Sequence, residues 1–146
     1  MLGYPDQALR VSYDELALAQ ELSHPFTLAF AFEEVALIHQ FRREVQATRQ
    51  QTEAMIALSN EQGFAVFAPV GTILRAWTLT MEGQPQEAIT QIRQAMTLLR
   101  SGIDNADWAL HYARLAEAHG VVGQTEEGLR SVAEALALIE TTGFRV

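Results

Sequence analysis

The sequence predicts an all-α fold, a stack of about seven antiparallel helices repeating every 40 residues or so. Three observations lead there. Ala, Leu, Gln, Glu and Arg dominate the chain, and all are strong helix formers. β-branched residues are sparse and scattered, so strands have little support. The third observation is internal self-similarity. Gly3-Tyr4-Pro5-Asp6-Gln7-Ala8-Leu9, Gly83-Gln84-Pro85-Gln86-Glu87-Ala88-Ile89 and Gly123-Gln124-Thr125-Glu126-Glu127-Gly128-Leu129 resemble one another, with starts at 3, 83 and 123. A degenerate fourth copy, Arg43 to Arg49, fills the place left at 43.

The register carries on beyond these segments. Leu16, Ile56, Met96 and Leu136 fall in step, as do Leu18, Leu58, Leu98 and Leu138. The first helix is expected over Asp6–Leu22, where Leu9, Leu16 and Leu22 form one apolar face. Ser23-His24-Pro25 then punctuates the chain, His24 standing at the start of a helix over 25–41. A third helix follows over 44–62 and ends at Gly63. The fourth is expected over 65–81, with Pro69 shifting its start or bending it. Gly83 and Pro85 open a fifth over 85–101, and Ser101-Gly102 closes it. The sixth covers 104–122, and beyond Gly120 and Gly123 the seventh covers 125–142, before Gly143.

One hairpin cannot bury its own apolar face, so each must stack on the next. The reading is a single solenoid over 1–146: a half repeat at 1–23, then hairpins at 24–63, 64–103 and 104–143. It begins and ends on the second helix of a pair, with no polar capping helix. The ends are therefore expected to be adhesive, allowing self-association.

Composition narrows the function. Apolar residues make up 49% of 146, enough for a substantial core. The formal charge is −8, and an acidic surface repels phosphate backbones, which argues against nucleic acid and anionic membranes. Arg42-Arg43, followed by Glu44, is the nearest approach to a basic cluster. All ten cationic side chains are arginine, so neither a P-loop lysine nor a Schiff-base amine is available. Without cysteine there is no disulfide and no thiolate metal site. The N-terminus lacks the basic and apolar regions of a signal peptide, and no apolar run approaches the roughly 20 residues of a membrane span. A cytoplasmic location is expected.

The candidates for chemistry read as structural. His39 and His119 share one repeat position, which points to a packing slot near a helix end. Asp107 and His111 lie four apart and could offer two metal ligands, but no third is evident, so a surface pair is expected. Asp14-Glu15, Glu33-Glu34 and Glu126-Glu127 are adjacent pairs that diverge by about 100° on a helix. They suit solvated faces or, for Glu126-Glu127, a helix N-terminus. Ser12, Ser23, Ser59, Ser101 and Ser131 lack a nucleophile elbow. No enzyme, cofactor or metal is expected.

The pattern resembles the tetratricopeptide repeat (TPR). That family sets an aromatic, an aliphatic and a small residue on its first helix, matched by Phe32, Val35 and Ala36 and by Tyr112, Leu115 and Ala116. Thr72, Arg75 and Ala76 match only at the alanine. On the second helix, Ala88, Ile92 and Ala95, and Gly128, Val132 and Ala135, fit the small–large–alanine trio. The closing proline is absent, with Arg100 and Glu140 near its place, and the period exceeds the family's usual one of about 34 residues. Leu2-Gly3-Tyr4-Pro5-Asp6-Gln7-Ala8-Leu9, Gly71-Thr72-Ile73-Leu74-Arg75-Ala76-Trp77 and Leu115-Ala116-Glu117-Ala118-His119-Gly120 resemble repeats at the C-terminal end of bacterial signal-transduction ATPases. Similar arrays occur in adenylate/guanylate cyclases and transcriptional regulators, but no ATPase or cyclase motif lies within this chain.

The resemblance implies a right-handed α–α superhelix whose first helices line a concave groove for a protein or peptide. Carried over by position, that face comprises Phe30, Glu33, Leu37 and Gln40, then Val70, Ile73, Trp77 and Thr80, then Leu110, Ala113 and Glu117. The expected function is a non-catalytic interaction or sensor module of a larger bacterial signalling protein, contacting a protein, a peptide or a neighbouring domain. The alternatives are a structural spacer or autoinhibitory arm, and a small-molecule sensor. Exposure of Ile73 and Trp77 would favour binding, and their burial the spacer.

Overall fold

Every described joint between helices turns on a left-handed residue, and these recur in step. Positive φ is found at Ser23 (51°), Arg43 (63°), Gly63 (72°), Gly83 (86°) and Gly123 (77°). The computed structural model describes residues 4–99 and 108–142, so the joint over 100–107 lies outside it. The corners also share their bonding. Glu44 N–H donates to the His39 carbonyl (2.9 Å), Phe64 to Ser59 (2.9 Å), Gln84 to Leu79 (2.8 Å) and Gln124 to His119 (2.9 Å). These bonds satisfy carbonyls that a helix end leaves open, and they require the left-handed residue just before the donor. Glycine fills three of the five places, while Ser23 and Arg43 adopt the conformation against their Cβ.

Seven helices lie between these corners: α1 Pro5–Glu21, α2 Pro25–Phe41, α3 Val45–Gln62, α4 Phe67–Met81, α5 Pro85–Leu99, α6 Trp108–Val121 and α7 Thr125–Thr142. The described residues contain no strand. Proline occupies the first position of α1, α2 and α5, where its missing N–H loses no helical bond. The His24 ring caps α2, its Nδ1 accepting from the Thr27 N–H at 3.3 Å. Pro69 sits in the first turn of α4, so the helix starts at Phe67 without interruption. The expected tail of the fifth helix at 100–101 and the start of the sixth at 104–107 lie outside the described residues.

The chain divides into two compact units, with the boundary between Thr78 and Leu79. That boundary falls inside α4. In the first unit α1 packs on α2 and α2 on α3. Leu16 and Ala19 of α1 meet Ala31 and Val35 of α2 in a buried cluster, with Leu9, Leu28 and Phe32 against it. α3 and α4 approach closely at Gly71, where a Cβ would stand 2.8 Å from Ile56 Cγ1. In the second unit α6 packs on both α5 and α7. Ile92, Ala95 and Met96 of α5 are buried, as are Leu115 and Ala118 of α6.

Candidate functional site

The face singled out on the first helices follows one register line, with different outcomes in the three copies. On α2, Phe30 is exposed, Glu33 and Leu37 are half-buried, and Gln40 is buried. Two phenylalanines missed by the sequence reading, Phe26 and Phe41, lie on the same line and are also exposed. The positions 26, 30, 37 and 41 progress by turns of one helix, so together they form an apolar ribbon along α2. Phe26 is held edge-to-face by Phe64 (5.6 Å between centroids) and Phe67 (5.0 Å). A phenylalanine one turn before Phe30, with two more at the start of α4, was the available signal.

On α4 the line turns inward. Val70, Ile73 and Thr80 are buried, and Trp77 is only 1% exposed. The Arg43 guanidinium lies 5.7 Å from the Trp77 ring centroid, a cation–π contact from the α2–α3 corner. Gln40, Ile73, Trp77 and Thr80 therefore have no surface to offer a partner while the fold is intact. Large apolar side chains at this register gain more by enclosure than by facing water, at about 25 cal/mol per Å². On α6, Ala113 is exposed, while Leu110 and Glu117 are half-buried. Phe30, Glu33, Leu37, Leu110, Ala113 and Glu117 are thus the candidates with accessible surface.

The two equivalent histidines do the same job with different partners. His39 is buried at the end of α2. Its Nδ1 lies 2.5 Å from Glu44 Oε2 and its Nε2 2.9 Å from the Tyr13 hydroxyl. His119 is buried at the end of α6. Its Nδ1 lies 2.7 Å from Gln124 Oε1 and its Nε2 3.2 Å from the Arg93 guanidinium. Tyr13 and Arg93 share a repeat position, and so do Glu44 and Gln124. Each ring thus ties the preceding second helix to the next corner. Arg93 can only donate, which makes Nε2 of His119 the acceptor and places the proton on Nδ1.

In the first copy the cluster extends further. Arg42 donates from Nε to Glu44 Oε1 at 2.9 Å and from its guanidinium to Asp6. The His39 hydrogen bond, with help from Arg42, holds the Glu44 carboxyl below its usual range against an opposing desolvation effect. The Asp6 and Glu44 hydrogen bonds raise Arg42 further above neutral pH. The cluster fastens the start of α1 to the α2–α3 corner.

His111 departs from the expected surface pair. Asp107 lies outside the described residues, and His111 itself is buried, with Arg114 donating to its Nδ1 at 3.2 Å and Trp108 set edge-to-face. Burial, reinforced by the Arg114 charge, pushes its pKa down to about 3. Repeat arithmetic would have revealed this: position 111 aligns with buried Ala31 and Gly71. Among the described residues no group of three or more His, Cys, Asp or Glu could hold a metal ion. No helix of the described residues is long and apolar enough to cross a membrane.

No family profile matches this sequence, and no curated protein is similar enough to serve as a relative. Solved structures do match. Two crystal structures of nearly identical TPR-like repeats from a candidate kinesin light chain of Podosopora anserina align over 97% and 96% of this chain and 69% of theirs. Their TM-scores are 0.58 and 0.54, each at 18% identity. This fold is an array of TPR-like repeats. The register line above runs along α2, α4 and α6, and it is on α2 that this line is most apolar at the surface.

Proposed function

We propose that this chain is a non-catalytic protein-interaction module that holds a protein or peptide segment against the outward face of α2. The observation that carries this reading is the ribbon of exposed Phe26, Phe30 and Phe41 with half-buried Leu37 between them, whose first ring is pinned by Phe64 and Phe67. Rigid aromatic side chains held at a surface bind with little loss of conformational freedom, and aromatic residues are enriched at binding hot spots. Glu33 beside the ribbon would orient a partner through its charge. TPR-like repeats generally mediate protein–protein contact. The sequence resemblance at residues 2–9, 71–77 and 115–120 supports a setting in a larger bacterial signalling protein in the cytoplasm, where a neighbouring domain could also be the occupant.

A displayed peptide library panned against the chain tests this reading. Selected peptides should lose at least tenfold in affinity to Phe30→Glu while its circular dichroism and melting stay those of the parent. Failure to select any peptide, or equal binding to the variant, overturns the proposal. The second reading, a structural spacer, is favoured by the burial of Ile73 and Trp77. It gains if panning yields nothing and the chain still folds cooperatively.

A further inference from the structure

The buried-histidine slot occurs in two copies, and only one of its fillings contains a nucleophile. At one set of repeat positions stand Arg93, His119 and Gln124, and at the other Tyr13, His39 and Glu44. Arg93 and Gln124 fasten their histidine by hydrogen bonds, so joining a helix to a corner requires neither a phenol nor a carboxylate. The first copy has both, in line. The Tyr13 hydroxyl lies 2.9 Å from His39 Nε2, and His39 Nδ1 lies 2.5 Å from Glu44 Oε2. Glu44 is ionised at neutral pH and can only accept, so Nδ1 carries the ring proton and Nε2 accepts from the phenol. A weak nucleophile thus sits on a base, and a third group fixes the base's tautomer and balances the charge it would gain. Arg42 steadies Glu44 in turn, while its own charge is shared with exposed Asp6.

Access fits this arrangement. His39 is buried, which shields the base, whereas Tyr13 is 41% exposed. That exposure belongs to the repeat position and not to the start of the chain. Glu53 and Arg93, at the same position of α3 and α5, are exposed as well. One turn beyond Tyr13, the small Ala17 leaves the approach along α1 open. Asp14 and Glu44 lie beside it on a chain of formal charge −8, which repels anionic phosphoryl donors but not a neutral acyl donor. We propose that Tyr13 is an acyl-acceptor site, modified by a small activated ester, with His39 as general base and Glu44 as the positioning residue. The phenolic oxygen attacks the ester carbonyl, its proton passes to His39 Nε2, and the leaving group departs with that proton. An aryl ester on Tyr13 and a free alcohol result. The esterified oxygen has no proton to donate to Nε2, so the modification also unfastens α1 from the end of α2. None of this rests on peptide binding at the α2 ribbon.

The experiment treats the 146-residue chain with p-nitrophenyl acetate near neutral pH and follows each tyrosine by fragment mass spectrometry. Tyr4, which is more exposed, and half-buried Tyr112 serve as internal references. Tyr13 should be acetylated at least about tenfold faster than either, general-base assistance being typically about 10²–10⁴-fold. His39→Gln should lower that rate by about tenfold or more. Glu44→Gln reproduces the glutamine of the other copy, so it should keep the parent's helicity while slowing Tyr13 at least about threefold and leaving Tyr4 unchanged. If His39→Gln does not fold, Glu44→Gln carries the test alone. Tyr13 reacting no faster than Tyr4, or an unchanged rate in either variant that folds, overturns the proposal. So does faster transfer from phosphoramidate than from the ester, because the site would then accept phosphoryl groups.

Discussion

His111 should make stability depend on pH. Its pKa is pushed down to about 3 by burial and by Arg114, against about 6.5 for the side chain in an unfolded chain. The unfolded state therefore takes up a proton below about pH 6.5 that the folded state refuses until about pH 3. The stability due to a neutral, buried ring is complete above pH 6.5 and declines as the pH falls, levelling off below 3. Between these limits the slope approaches about 1.4 kcal/mol per pH unit, so from pH 7.5 to 5.0 the loss is about 2 kcal/mol. Urea unfolding followed by circular dichroism at pH 7.5, 6.5, 5.5 and 5.0 measures it. His111→Gln shifts the whole curve but should remove that decline. His24, His39 and His119 are common to both proteins and cancel in the difference. Parallel curves for parent and variant would refute the reasoning, as would a His111 ring signal titrating near 6.5 by NMR.

Other perturbations probe the joints and the core. Gly71→Ala places a Cβ 2.8 Å from Ile56 Cγ1, so it should destabilise by about 1–2 kcal/mol despite alanine's higher helix propensity. Ile56→Ala in the same chain should relieve that strain, giving a favourable coupling in a double-mutant cycle. Ser23→Gly removes a left-handed serine at a corner and should add about 0.5–1 kcal/mol, or roughly 2–4 °C in melting temperature. Trp77→Ala empties a fully enclosed site and should cost about 3–5 kcal/mol in chemical denaturation. The Glu44 carboxyl sits below its usual range, so its contribution is present above about pH 4.5 and lost as acid protonates it. The group is partly solvated, so the effect should stay below about 1 kcal/mol, seen as a shallower acid limb in Glu44→Gln.

The helices were legible because two signals coincided. Apolar periodicity located each rod, and proline and glycine marked its ends; α1, α2 and α7 run within a residue of expectation. The 20-residue rhythm of corners was harder to see, because Ser23 and Arg43 occupy left-handed places where glycine would have announced them. The shared slot of His39 and His119 was visible as a repeat position, but their partners were not: Tyr13 and Arg93 have no chemical likeness, though they align. The groove line was less legible still. Periodicity says which residues share a face, and it does not say whether another helix covers that face. Ile73 and Trp77 therefore left groove binding and internal packing both open in the sequence and are core in the structure, whereas Phe26 and Phe41 passed unnoticed at the surface. His111 was misplaced for a related reason: its polarity suggested solvent, although its alignment with Ala31 and Gly71 indicated the interior.

Identical corners have a genetic consequence. If the residues from Gln84 through Gly123 were lost, Gly83 would run directly into Gln124, and the same left-handed bend would lead from one first helix into one second helix as before. Gene segments coding for 40 residues can thus be copied or dropped between such points without inventing a new bend. A step half that size would put a second helix in a first helix's berth, pointing its aliphatic side at the wrong neighbour. The coding sequence is free to change length in whole hairpins and is penalised for anything less.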